Sequence, residues 1–299
     1  MSDLATSRLG VFEGLDIDEY HGGPGLSNSG LNDLAQSPFH YYSRHLDPQR
    51  PAREVKDGQL EGHLAHCAIL EPAEFSKRYT VTPADEPRRP SSSQWAAKNP
   101  SPESQAAMNW WRDFGSQHVG VTIIDSNLHA TAMAQSVSVH NVSDVATLLR
   151  EGAAEVSGYW RDPMTGVLCR CRPDFVSPVG GGVILLDVKT FSNASPRDFM
   201  LQVGRKHYER QAAWYSDGFQ IAAKTEVLGF VFVAVETVWP YATGAYMLRD
   251  EWVEIGRRDN RRLLDLYAKC VHDNEWPSYG QGVEQLPIPS WLQNVDFYG

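Results

Sequence analysis

The sequence predicts an α/β protein, and three observations carry that prediction. Residues 167–176 and 183–190 read as strands joined by the turn-forming Ser177-Pro178-Val179-Gly180-Gly181-Gly182. A helical pattern at 201–215 is followed by two more strand-like runs, 227–236 and 245–249. Helical patterns also fill much of the first 150 residues and return at 252–273.

Taken in order, residues 1–25 are Gly-rich and read as an N-terminal arm. Ser27 and Ser29 offer hydroxyl caps to a short helix, 31–36, that Ser37-Pro38 ends. Phe39-His40-Tyr41-Tyr42 reads as core. Residues 57–70 form a helix stopped by Glu71-Pro72. Gly58 and Gly62 weaken that helix by roughly 1 kcal/mol each, and their spacing predicts a second backbone packed close by. His66 continues that face, with His63 one turn before it. The Pro- and Ser-rich stretch 82–105 reads as a mobile loop, with helices resuming at 103–117 and 127–150. A strand at 155–160 precedes the central pair. Helix 201–215 is expected to close at Asp217-Gly218. The predicted organisation is an arm (1–25), one domain (26–275) and a tail (276–299). Within the domain, 26–150 is helical and 151–250 is the sheet core.

With 299 residues, 42% hydrophobic and 21% charged, the chain is an ordinary globular protein able to bury one large core. No apolar run approaches the roughly 20 residues that span a bilayer. The N-terminus lacks a basic region followed by an apolar one, so a cytoplasmic protein without a membrane partner is expected. Cys67, Cys169, Cys171 and Cys270 fit that expectation as core thiols, because one C-x-C pair does not make a zinc site. The net charge of −10 is unevenly spread: residues 161–210 carry +3 and the remainder −13. A local basic track on an acidic body still attracts phosphates.

The chemistry concentrates in Arg172-Pro173-Asp174 and Asp187-Val188-Lys189. Neighbouring strands would bring both carboxylates to one sheet edge. Side chains alternate along a strand, so Asp187 and Lys189 share a face. Burying an aspartate and a lysine at the end of Val183-Ile184-Leu185-Leu186 is costly unless a cation or a close partner compensates. A hard divalent ion such as Mg²⁺, which prefers oxygen ligands, suits that arrangement. Three more positions join these: Glu155 at the start of a strand, His66 in the N-terminal half, and Gln211 and Tyr215 on one helix face beside Tyr208. Each alone has a plainer reading, as a surface acid, a packing histidine or core aromatics.

In combination they are similar to a known pattern. Gly62-x-x-x-His66, Glu155, Arg172-Pro173-Asp174, Asp187-x-Lys189 and Gln211-x-x-x-Tyr215 resemble the PD-(D/E)XK nuclease superfamily in its RecB-like, lambda-exonuclease-like branch. The wording around them is most similar to nuclease domains of the exonuclease VIII (RecE) type. The resemblance implies a central mixed β-sheet flanked by helices, with N-terminal helical additions. It implies that His66, Asp174, Asp187 and the Val188 carbonyl hold a metal, with Glu155 at a second metal or its water. One or two Mg²⁺ ions per subunit are implied, with Mn²⁺ able to substitute. Lys189 would position or activate the attacking water, and Gln211 and Tyr215 would orient Lys189 and the scissile phosphate. The implied activity is 5′→3′ exonuclease action on double-stranded DNA ends, leaving 3′ single strands for an annealing protein of the RecT/Redβ type. A closed homo-oligomeric ring, trimer or tetramer, is implied as well. Arg161, Arg170, Arg172, Arg197, Arg205, Lys206 and Tyr208 are the candidate DNA contacts. The alternatives are an endonuclease or repair nuclease of the same superfamily, or a catalytically silent ring that binds DNA ends.

Overall fold

A computed structural model of the chain describes residues 8–51, 58–280 and 282–289. In chain order the elements are β1 (Gly10–Phe12), α1 (Ile17–Gly22), α2 (Asn28–Gln36), α3 (Pro38–Tyr41), a π-turn (Tyr42–Leu46), α4 (Gln59–Leu70), α5 (Pro72–Arg78) and β2 (Tyr79–Val81). Then come α6 (Ser92–Trp95), α7 (Pro102–Gln117), β3 (Thr122–Ile124), α8 (Ser126–His140), α9 (Ser143–Leu148), β4 (Ala153–Ala154), β5 (Ser157–Arg161) and β6 (Leu168–Cys171). The rest are β7 (Phe175–Val179), β8 (Gly182–Phe191), α10 (Pro196–Lys206), α11 (Tyr208–Ala223), β9 (Val227–Glu236), β10 (Thr243–Met247) and α12 (Asp250–Asp273). The helix starts follow their sequence signals. Ser27, Ser101, Asp125 and Ser195 each accept a backbone N–H from the first turn they cap.

The central sheet is mixed, in the order β10-β9-β8-β7-β4, with β8 and β9 parallel and the other pairs antiparallel. Both of its central strands are covered on two faces, which is why they read as continuous apolar runs. On one face Leu185, Phe230 and Phe232 pack with Phe199, Ala212, Trp214 and Leu263 from the helices α10, α11 and α12. On the other, Leu186, Val188, Val233 and Val235 pack with Ala65 and Ile69 of α4 and Val139 and Val145 of α8 and α9. A second, antiparallel sheet has the order β1-β5-β6.

Several sequence expectations are corrected. The strand expected at 167–176 is two strands in two sheets, β6 beside β5 and β7 beside β8. Pro173, without an N–H and with a fixed φ, divides them. The arm expected at 1–25 belongs to the fold where it is described, since β1 pairs with β5 and Tyr20 is buried. Residues 1–7 lie outside the described residues. Within 82–105, expected to be mobile, Ser91 and Gln94 form a capping box for α6, and Trp111 donates to the Pro87 carbonyl at 2.9 Å. The expected close backbone approach at Gly62 is absent, because open space lies where its Cβ would sit. At the C-terminal end, Trp276 stacks on Tyr41 with ring centroids 5.6 Å apart.

The helix expected at 201–215 is two helices divided at His207, which has φ 57°. α11 runs straight through Asp217-Gly218, so that pair is no cap. Gly218 serves packing instead: a Cβ there would come within 2.2 Å of the Trp160 ring. Gly218→Ala is therefore expected to cost about 1–3 kcal/mol through overpacking, measurable as a lower midpoint in urea unfolding.

Candidate active site

The break at Pro173 places Asp174 where the two sheets part. The antiparallel register that pairs Phe175 with Leu186 carries Asp174 alongside Asp187. One Asp174 carboxylate oxygen, Oδ2, accepts the Val188 N–H at 2.7 Å. Alternation along β8 then separates the next three residues. Asp187 and Lys189 point toward α11, whereas the Val188 side chain enters the core beneath α4.

Asp187 is only 1% exposed. Its Oδ1 accepts Gln211 Nε2 at 2.6 Å, and its Oδ2 lies 2.6 Å from Lys189 Nζ. The ammonium also sits over the Tyr208 ring, 5.4 Å from its centroid. From the other face, His66 on α4 brings Nε2 to 2.8 Å from the Val188 carbonyl and Nδ1 to 3.5 Å from Asp174 Oδ2. Glu155 completes the group from the short link between β4 and β5. It has φ 55°, a left-handed conformation costly for a side chain of its size, and its N–H donates to the Asp174 carbonyl at 2.9 Å. Gly152 permits that approach: its φ is 140°, and a Cβ would lie 2.2 Å from the Val176 carbonyl oxygen.

His66, Glu155 and Asp174 each offer one ligand atom, all within 4.8 Å of one another. Bonds of about 2.1 Å to an octahedral ion separate neighbouring ligands by about 3 Å. The 2.8 Å between His66 Nε2 and the Val188 carbonyl oxygen is close to that spacing, which makes Nε2 the ligating nitrogen, while Nδ1 is the nitrogen 3.5 Å from Asp174. The donor set therefore fits a hard divalent cation. This departs from the expected ligand set: Asp187, expected as a ligand, stands outside the trio, engaged by Lys189 and Gln211, and Glu155, expected at a second metal or its water, stands within it.

The electrostatics point the same way. Burial, then the neighbouring charge of Asp187, holds the Asp174 carboxyl well above the usual carboxylate range. Burial, then Lys189, pushes the His66 imidazole down. Burial alone would lower the Lys189 ammonium, but Asp187 and Asp174 together hold it above its ordinary value. A carboxyl whose ionised form is disfavoured by burial and then by a like-charged neighbour is the situation a bound cation relieves.

Of the remaining candidates, Gln211 and Tyr208 join the site and the arginines divide. Gln211, expected to orient Lys189, bonds Asp187. Tyr215 packs edge-on against Phe230 at 5.9 Å, with its phenol pushed well up by burial and then by Tyr20 and Asp187. Two expected DNA contacts are corrected. Arg170 is buried, donates to the Tyr20 and Gly23 carbonyls and lies over the Tyr20 ring, so it ties the N-terminal segment down. Arg172 donates from Nε to Glu155 at 2.7 Å and from Nη1 to the Leu15 carbonyl at 2.8 Å. Tyr208 packs between Phe199, Phe232 and Lys189, away from a simple surface role. Arg161, Arg197, Arg205 and Lys206 are exposed.

Arg172 is thus the residue whose role sequence reasoning missed: it fixes the strained Glu155. The one signal, two opposite charges 17 positions apart, is too common to single out. Arg172→Ala is expected to remove a charged hydrogen bond contributing about 1.5–3 kcal/mol and to lower activity about tenfold by freeing Glu155. Paired unfolding and cleavage assays would show both losses.

Fold and site together define a PD-(D/E)XK-type nuclease core. The chain belongs to the family described as a PDDEXK-like domain of unknown function (DUF3799), whose sequence profile matches residues 27–286. No curated protein matches the sequence significantly. Among solved structures, the chain is similar to a "putative exonuclease" from Eubacterium rectale, with a TM-score of 0.52 and 12% identity over 93% of this chain and 96% of that one. At that identity the likeness speaks for the fold alone. An alkaline exonuclease from Laribacter hongkongensis superposes more loosely, with a TM-score of 0.27 and 12% identity over 64% of this chain and 95% of that one.

Proposed function

We propose that the chain is a Mg²⁺-dependent exodeoxyribonuclease that degrades double-stranded DNA from its ends, 5′→3′, leaving 3′ single strands. The observation that carries this reading is the convergence of His66, Glu155 and Asp174 beside the Lys189–Asp187 pair on a nuclease-type fold. A divalent cation held by that trio and the Val188 carbonyl, Mg²⁺ or Mn²⁺, would neutralise phosphate charge and acidify a water. The chain's own residues do the rest. Asp187 and Asp174 favour the ammonium form of Lys189 against its burial, and from its place beside the trio Lys189 positions the water and stabilises charge on the phosphoryl oxygens. Gln211 fixes Asp187, and Asp187 in turn aims Lys189. Arg172 holds Glu155 facing the same space.

Exposed Arg197, Arg205 and Lys206 on α10, with Arg161, supply cations for the DNA backbone. A closed ring, trimer or tetramer, would let an acidic protein bind DNA because only its lumen need be positive. The 3′ strand would pass to an annealing protein of the RecT/Redβ type. Among the described residues no helix is long and apolar enough to cross a membrane, and a cytoplasmic site of action accords with a DNA substrate.

Digestion of duplexes labelled at the 5′ or the 3′ end, with and without a 5′ phosphate, tests activity, direction and end requirement together. Early release of 5′-terminal mononucleotides from linear duplex is expected. Equal cutting of covalently closed circles would replace this reading with an endonuclease, and binding without cutting would replace it with a silent end-binding protein.

A further inference from the structure

The turn between β9 and β10 carries a feature that the catalytic reading leaves unused. Val238 and Trp239 at its tip are 58% and 82% exposed. A solitary exposed apolar residue needs no explanation, but an indole held out from a well-bonded turn does. This turn is anchored on every side. Glu236 N–H donates to the Ala242 carbonyl at 3.0 Å and Tyr241 N–H to the Val238 carbonyl at 2.8 Å. Thr237 N–H donates to the Phe191 carbonyl of β8 at 2.8 Å, and Gln135 on α8 donates to the Glu236 carbonyl at 2.9 Å. The indole is presented by a braced support.

Its position gives that presentation a meaning. β9 runs parallel to β8, with Lys189 paired to Ala234 and Phe191 to Glu236, so the turn leaves the sheet at the edge where Lys189 lies. Two residues of strand, one strand spacing and three residues of turn put Trp239 within about 20 Å of Lys189. The same junction starts the basic helix. Ala194 N–H donates to Glu236 Oε1 at 3.1 Å, α10 begins at Pro196, and exposed Arg197 follows. Two acids of this corner are hydrogen-bonded, Glu236 by Ala194 and Asp198 by Asn193 and Ser195, and a third, Glu61, borders the cavity that Thr237 lines. Cations for phosphates and one flat aromatic face thus rise from a single braced corner beside the site.

We propose that Trp239 is a base-stacking contact for the DNA strand at the mouth of the site, holding an unpaired terminal base while α10 tracks the backbone. This rests on the nuclease reading above. Stacking on an aromatic side chain tolerates every base because each has a π-face, which suits an enzyme that must digest any sequence.

The test uses the full chain and linear duplexes with 2-aminopurine at successive terminal positions. EDTA withholds the cation, so stacking is read as fluorescence quenching without turnover. Wild type is expected to quench one terminal position, Trp239→Ala to lose that quenching, and Trp239→Phe to keep most of it. Trp95→Ala, which alters another exposed indole (42%), is expected to behave as wild type. With Mg²⁺, Trp239→Ala should raise KM roughly tenfold and leave kcat nearly unchanged. Equal quenching by wild type and Trp239→Ala overturns the proposal. So does a change in oligomeric state without a change in quenching, which would make the tip a contact between copies. If wild type cuts no duplex with Mg²⁺, the nuclease reading fails, and the quenching comparison still judges the tip by itself.

Discussion

Lys189→Ala is expected to lower cleavage by about 10²–10³-fold and to destabilise the chain by about 3–5 kcal/mol. The activity loss follows from removing the Lys189 ammonium beside the candidate metal trio. The stability loss follows from what remains. Asp187 is 1% exposed, and its Oδ2 is paired with Lys189 at 2.6 Å. Without the lysine, a buried carboxylate keeps a single amide donor from Gln211. Asp187→Asn combined with Lys189→Met removes both charges, and is expected to recover most of the stability and none of the activity. Urea unfolding of the single and double variants reads the first effect, and initial rates on end-labelled duplex read the second. Equal stability of Lys189→Ala and the double variant would show that the pair is not an interdependent buried unit.

Asp174→Asn is expected to stabilise the metal-free chain while abolishing its response to metal. Asp174 is raised first by burial and next by Asp187, so its ionised form is disfavoured in the folded state. The sign follows from linkage. A carboxyl whose folded pKa lies above its unfolded value contributes stability that is complete below the unfolded value, about 3.9, and lost as pH rises through the folded one. In EDTA, then, the wild type should lose stability relative to Asp174→Asn as pH rises from about 4 toward neutrality. Asparagine still accepts the Val188 N–H, so the strand junction is kept. Mg²⁺ or Mn²⁺ binding only the folded state at 100 times its Kd adds about 2.7 kcal/mol to the wild type, and next to nothing to Asp174→Asn. Thermal melts across pH, with and without the cation, supply all four curves. An Asp174→Asn chain less stable than wild type in EDTA at neutral pH would contradict the assignment of Asp174 as a strained carboxylate.

Much of this was readable because some signals are local. Val227–Glu236 is an apolar run whose ends coincide with β9. The Asp187-x-Lys189 spacing fixes a shared face by geometry alone, and Gln211 lies one helix away. Other features depend on the tertiary path. Residues 167–176 are apolar enough to read as one strand, and nothing local says that Pro173 sends its halves to different sheets. That division is what leaves Asp174 beside both Val188 and His66. Likewise a Gly after an Asp looks like a helix stop, and only the Trp160 ring against Gly218 explains why the helix continues. Arg170 and Arg172 sat in the most basic stretch of the sequence, and their hydrogen bonds to residues 15–23 depend on an N-terminal segment that composition made look loose.

The ion itself is the most direct test. Electron spin-echo spectra of the chain loaded with Mn²⁺ report nitrogen bonded to the ion, and His66 is the one imidazole in the proposed ligand set. The expected result is one bound Mn²⁺ with nitrogen modulation that disappears in His66→Ala, and no tight binding in Asp174→Ala. Nitrogen modulation that survives in His66→Ala, or Mn²⁺ held equally well without Asp174, would contradict the site.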